Sequence, residues 1–439
     1  MASSEINPQE LAKNIGSRAR DAGGQILNTV SSLLGKDSEK QFIEITIMIM
    51  IALVVVIFVF WAYSLTGLQT ADCNRLDEIY KSNQGSASTQ SIVTLNEYII
   101  GGKSSNKYTP KNYMYDPSGG NARIFSYYVK TAYNCCSPGN FSNSFVSLCA
   151  LKHAIALGAR CLDFEIYSLD LEPVISTSTQ SADLQSSLYI KETFNSLKLA
   201  DALYYIKYFA LESSNEGAAN YHDPLFLHFR IMTAQPETIK AIAKLLVDIL
   251  GDHLLGSNYG QNSIGFSNNI YRQPILDFCG KCIIMVNSNT TNSGAITLPE
   301  NNLFSLINIQ LSSDTSHYQT YKYSHIKSLS DDQYEELKHK NKRGMSIVLP
   351  DNNNSTDNFD PRICLKAGCQ FIAMNFQTFD SGLETYFSIF DEVGFSYRLK
   401  PFQLRYTPVH YLIDYPSIQH SAGCATTTTH GGARTYVFC

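Results

Sequence analysis

The sequence predicts an α/β fold, a TIM-like (β/α)8 barrel preceded by a single transmembrane helix. Three observations carry this expectation. Residues 45–65 read ITIMIMIALVVVIFVFWAYSL, 21 positions without a charge. Downstream, eight short β-rich runs alternate with segments of helical period. No glycine-rich phosphate loop follows the first of those runs, which separates the pattern from a nucleotide-binding doubly wound sheet.

The apolar run is long enough to cross a hydrocarbon layer of about 30 Å at roughly 1.5 Å per residue. Trp61 and Tyr63 stand at its far end, where amphipathic rings prefer the headgroup region. It starts too deep in the chain and runs too long for a cleaved signal peptide. Lys36 and Lys40 lie close before it, with Arg18 and Arg20 upstream, whereas Arg75 and Lys81 follow at greater distance. The positive-inside bias therefore predicts a single-pass membrane protein with a cytoplasmic N-terminus and the globular part on the opposite side. Sequons at Asn140, Asn289, Asn353 and Asn354 are usable there. Ahead of the span, Asn7-Pro8-Gln9-Glu10 is a helix start. A broken apolar stripe follows, which either lies against a membrane or partner or belongs to a partly disordered tail.

The β-rich runs are Phe125 to Tyr133, Arg160 to Tyr167, Pro173 to Thr177, Asp223 to Ile231, Lys281 to Ser288, Tyr321 to Ile326, Gly344 to Pro350 and Gln370 to Phe376. Between them, Leu197, Ala200, Leu203, Tyr204 and Tyr208 share one helical face, as do Ile239, Ile242, Leu245, Leu246 and Ile249. Such alternation implies parallel strands, and eight strands favour a barrel. The expected layout is a tail over 1–40, the membrane helix over 41–66 and a linker over 67–120. A first barrel half then spans 121–287, a second linker 288–320, a second half 321–410 and a C-terminal tail 411–439.

With 44% apolar and 17% charged residues, the chain can bury a large core. A net charge of −5 without a Lys/Arg stripe excludes a broadly basic nucleic-acid binder. Eleven cysteines are scattered along it, and neither Cys279-x-x-Cys282 nor Cys364-x4-Cys369 has a second pair at zinc-site spacing. Their apolar neighbours predict buried thiols. Disulfide pairing is open at this stage.

Two blocks resemble the catalytic barrel of phosphoinositide-specific phospholipase C. One is ALKHAIALGARCLDFEIYSLDLEPVIS; the other runs from KRGMSIVLP to YRLKPFQLR. Within the second, Asn358-Phe359-Asp360-Pro361, Ala367-Gly368-Cys369-Gln370, Asn375-Phe376-Gln377-Thr378 and Leu399-Lys400-Pro401 stand where the family carries its most recognisable motifs. The resemblance keeps its order over roughly residues 120 to 406 and implies a TIM-like barrel split into two halves by a linker.

In that family the inositol 2-hydroxyl attacks phosphorus, two histidines manage protons and charge, and Ca2+ held by Asn and carboxylates activates the nucleophile. Laid on this chain, the first histidine is Tyr133, beside a retained Asn134. The carboxylate pair is Asp163 and Glu165, two apart on one strand face. The second histidine is Thr177, and a calcium-binding glutamate is Arg230. The lysines that grip ring phosphates fall on Met285 and Asn287, an Arg/Tyr pair falls on Ile347 and Leu349, and Ser324 stands at a substrate serine.

Neither Tyr nor Thr replaces a histidine as an acid/base at neutral pH. Arg230 would repel the cation its counterpart binds. Arg230 is therefore expected to pair with Asp163 and Glu165 in place of Ca2+; the plainer alternative to retained catalysis leaves those carboxylates at a solvated strand end or as partners of Arg160 or Arg230. His153, His222 and His228 lie away from the family's acid/base positions, with His228 expected to face away from the barrel interior. No catalytic residue is expected to function and no cofactor is expected. If catalysis survives, Ca2+ would sit on Asn134, Asp163 and Glu165.

The function this implies is a membrane-bound scaffold or lipid-headgroup module, a component of a viral or other membrane-bounded particle being one setting. Its expected partners are membrane lipid and other membrane or capsid proteins, with no nucleic acid. The alternative is an active phosphodiesterase with altered chemistry, recruiting His222 or His228.

Overall fold

The computed structural model describes residues 36–83, 122–179, 190–214, 217–259, 270, 273–287, 302–311, 318–391, 396–406, 425–428 and 435–438. The expected N-terminal helix start and stripe, most of the first linker, the sequon at Asn289 and much of the C-terminal tail lie outside those residues.

A single helix, α1 (Lys36–Asn83), contains the apolar run. Its side chains from Ile45 to Phe60 are almost all exposed, among them Met48, Phe58 and Phe60, and the run is long and apolar enough to cross a membrane. Beyond the apolar run the helix joins the globular part. Leu76 is buried, the Arg75 guanidinium donates to the Pro138 carbonyl at 2.8 Å, and Cys73 forms a disulfide with Cys149. Cys149 lies in α2 (Leu148–Ala156), whose N-cap is Ser147.

The barrel strands are β1 (Tyr127–Ala132), β2 (Cys161–Leu169), β5 (Leu225–Ile231), β6 (Cys282–Asn287), β7 (Ile309–Leu311), β8 (Tyr318–Lys322), β9 (Met345–Leu349) and β10 (Phe371–Met374). All paired neighbours among them are parallel, and the hydrogen-bonded path β7-β6-β5-β2-β1-β10-β9-β8 brings its two ends side by side, nearly closing the barrel. Alternate residues point inward and outward. Val129, Cys161, Phe226, Met285, Ile347 and Phe371 fill the interior, while Leu162, Leu227, Ile284, Val348 and Ile372 pack beneath the helices. Strands buried on both faces explain the nearly continuous apolar runs. The helices of the first half are α2, α3 (Leu199–Ile206) and α4 (Pro236–Leu245). Those of the second are α5 (Leu303–Leu306), α6 (Tyr323–Ser328), α7 (Asp331–Asn341), α8 (Arg362–Lys366) and α9 (Ser381–Asp391). The α7 helix starts on a capping box of Ser330 and Gln333.

Three expectations change. The run Pro173 to Thr177 is not a barrel strand. It forms β3 (Glu172–Ser176), antiparallel to β2 across a two-residue turn in which Asp170 and Leu171 adopt positive φ, and β4 (Leu197–Lys198) continues that ribbon. The eighth barrel strand is β7, inside the stretch expected to be a linker. The run Tyr321 to Ile326 divides, its start closing β8 and the rest entering α6.

At the end where strands begin, β11 (Tyr397–Leu399) runs antiparallel to β1 and closes the floor. The next residue, Lys400, is fully buried, its ammonium 3.3 Å from the Asn341 carbonyl and 5.8 Å from the Tyr128 ring centre. Burial lowers its pKa to about 7, against the ordinary lysine value near 10.4. Between those values the unfolded chain holds a proton that the folded chain lacks, so stability rises with pH across the window. Urea unfolding at pH 7, 8 and 9 should show that rise, at up to about 1.4 kcal/mol per unit. K400M should flatten it; parallel profiles for the two proteins would contradict a buried, neutral-leaning lysine.

Candidate functional site

Asp163 and Glu165 are two residues apart on β2 and point into the barrel near its mouth, the end where strands finish. The parallel register of β2 with β5 sets Asp163 opposite His228 and Glu165 opposite Arg230. Two acids on one strand thus meet two basic side chains on the next, in a volume closed to solvent. Exposure is 0% for Asp163 and His228, 1% for Glu165 and 5% for Arg230.

The Arg230 guanidinium is used on all its edges. Nε donates to Asp163 Oδ1 at 3.0 Å, and Nη2 donates to Asp163 Oδ2 at 2.7 Å and Asn134 Oδ1 at 2.6 Å. Nη1 donates to Glu165 Oε1 at 2.5 Å. The Tyr133 ring covers one face, 4.6 Å from ring centre to guanidinium carbon. Asn134 adopts φ 39°, a left-handed conformation that asparagine tolerates better than most residues. From there its backbone N–H donates to Asp163 Oδ2 at 3.0 Å.

The other carboxylate oxygens are also engaged. His228 Nδ1 lies 2.7 Å from Asp163 Oδ1, and Glu165 Oε2 accepts from the Tyr167 hydroxyl at 2.8 Å and the Ser178 N–H at 2.9 Å. Behind His228, Nε2 is 3.4 Å from Asn287 Oδ1, which accepts from the Thr320 hydroxyl at 2.6 Å. Burial alone would push the Asp163 carboxyl up. The Arg230 charge and the bonds from His228 and Arg230 outweigh it and hold this group well below the usual carboxylate range. Burial likewise works against the Arg230 charge but is overcome by the Asp163 and Glu165 carboxylates, so the guanidinium stays protonated. For Tyr133 burial prevails and lifts the phenol far above neutrality.

The structure thus brings together Tyr133, Asn134, Asp163, Glu165 and Arg230. Arg160 is elsewhere, donating to the carbonyls of Pro224, Ala210 and Asp223. Thr177 turns away, its hydroxyl donating to the Phe141 carbonyl at 2.7 Å. Ser324 lies in α6 and bonds Asp351 through both its N–H and its hydroxyl. His228 faces into the barrel, contrary to expectation. Its place two residues before Arg230 on a strand was the available signal, since such residues share a face. Met285, Ile347 and Leu349, which the resemblance aligned with substrate contacts, are buried in the apolar interior.

A calcium ion does not fit these residues. The family's ligand set would draw on Asn134, Asp163, Glu165 and a further carboxylate. Here the fourth position is Arg230, whose nitrogens already lie 2.5–3.0 Å from the oxygens a cation would need. The like charge adds repulsion.

With this geometry in place, comparison with known proteins gives the fold a class. Residues 298–403 match the family model for the phosphatidylinositol-specific phospholipase C Y domain. The barrel is similar to the crystal structures of S. officinalis PLC21 (20% identity, TM-score 0.52) and L. pealei PLC21 (20% identity, TM-score 0.53). Each similarity covers 65% of this chain and 38% of the other, so this chain corresponds to well under half the length of either. No curated protein matches the chain. The globular part has the TIM-like barrel fold of those phospholipase C structures, and the segment that matches the Y-domain model runs through its second half.

Proposed function

We propose that this protein is a membrane-anchored, catalytically degenerate phospholipase C-like barrel that serves as a scaffold. The single observation that carries the reading is the Arg230 fork, which fills the space between Asp163, Glu165 and Asn134 and ion-pairs with both acids. A barrel mouth closed by an internal ion cluster has neither a free base nor room for a divalent cation.

Anchoring is supported by α1, which carries a long apolar run and continues without a break onto the barrel. Trp61 meets Phe194 edge-on with ring centres 6.3 Å apart, so the apolar stretch departs from the side of the mouth loops. The Cys73–Cys149 disulfide favours an oxidising compartment for the barrel, in accord with a cytoplasmic N-terminus.

One observation favours an enzyme instead: the His228–Asp163 pair resembles a base held by its orienting carboxylate. Full burial of both side chains argues against its use on a lipid. The test is hydrolysis of phosphatidylinositol and its mono- and bisphosphates by the full chain in nanodiscs, with and without Ca2+. We expect no turnover above the protein-free rate in either condition. Turnover that D163N or H228A abolishes would establish the enzyme and end the scaffold reading.

A further inference from the structure

The floor of the barrel, away from the ion cluster, carries a second concave feature. α7, α8 and the segment after Tyr397 enclose a groove of about 620 Å3. Half-buried Leu365, Ile389 and Leu404 supply its carbon base, with exposed Pro401 at the edge. Its rim is basic, with Lys338, Lys342, Lys366, Arg398 and His339 around a single carboxylate, Glu335. That carboxylate is held by Lys338 at 2.6 Å. Among the described residues, Lys342 and Lys366 have no carboxylate within 4.0 Å, although the chain as a whole is acidic.

The walls are fixed before anything binds. The Tyr128 hydroxyl donates to the Leu365 carbonyl at 2.7 Å, and the Tyr334 hydroxyl donates to the Ile363 carbonyl at 2.6 Å, tying β1 and α7 to α8. A pre-formed groove with an apolar base and cationic rim suits a ligand of matching character.

We propose that this groove docks a short acidic peptide segment of a partner protein, its apolar side chains on the base and its carboxylates on the Lys342–Lys366 rim. A small inorganic anion would use the rim and leave the carbon base uncovered. A bilayer is flat, whereas the groove is recessed at the end of the barrel away from the Trp61–Phe194 contact. Charge complementarity therefore selects an acidic peptide, and its recognition is independent of whether the mouth is catalytic.

The test uses the full chain in zwitterionic nanodiscs and a fluorescein-labelled peptide alternating Glu and Leu, followed by anisotropy. Saturable binding that weakens with added salt is expected, with no binding of the matching Gln-Leu peptide. K342E/K366E should weaken it by roughly tenfold or more, whereas K152E, on exposed α2 surface, should leave it unchanged. Should the double variant fold poorly, K366E alone alters an exposed side chain and should weaken binding by roughly threefold. Failure of the Glu-Leu peptide to saturate, or equal affinity for K342E/K366E and wild type, would overturn the proposal. So would full displacement by millimolar inorganic phosphate, or preferential capture of phosphatidylserine vesicles through the same lysines.

Discussion

Replacing Arg230 by alanine should destabilise the barrel by about 3–5 kcal/mol, because two buried carboxylates lose their counter-charge together. Asp163 and Glu165 both lie in a volume with almost no solvent contact, so water cannot take over the role of the guanidinium. The expected reading is a fall in melting temperature of roughly 5–10 °C for a domain of this size. R230M should do no better, since the missing element is charge rather than volume. Neutralising the acids as well, in D163N/E165Q/R230M, should recover most of the loss, because a buried ionic group replaced throughout by neutral partners is often near neutral in stability. A melting temperature unchanged in R230A would show that the ion cluster does not hold the mouth closed.

The second large effect concerns the attachment of α1. The Cys73–Cys149 bond closes a loop of 76 residues, for which the chain-entropy account gives about 4 kcal/mol. C73S and C149S should each lower the melting temperature by a similar amount, the double variant should match either single one, and reductant should affect only the wild type. Non-reducing thermal unfolding of the four proteins reads this directly. Equal sensitivity of wild type and C73S/C149S to reductant would place the stabilising thiol chemistry elsewhere.

The parts of the fold that could be read in the sequence were those in which one local pattern had one structural meaning. Asp163 and Glu165, two apart in an apolar run, must share a strand face, and an arginine where the resemblance expects a metal-binding glutamate predicts their partner. The strand β7 could not be read that way: Ile309–Leu311 is three residues long, and its identity comes from pairing with β6. The β2–β3 hairpin was hidden for a different reason. Its turn uses Asp170 and Leu171 at positive φ, and a leucine there gives no turn signal. His228 lay in a strand buried on both faces, where apolar content alone does not say which side is inside the barrel. The disulfide joins cysteines 76 residues apart, a separation that carries no pairing information.

The continuity of α1 has a mechanical consequence. From Trp61 to Leu76 the chain is one unbroken helix, roughly 22 Å at 1.5 Å per residue, and a disulfide and buried contacts fix its far end to the barrel. No swivel separates the apolar stretch from the globular part. On the single-pass reading, a change in bilayer thickness that alters helix tilt would therefore rotate the whole barrel through the same angle. The protein would hold its floor groove at a height and azimuth set by the lipid around it.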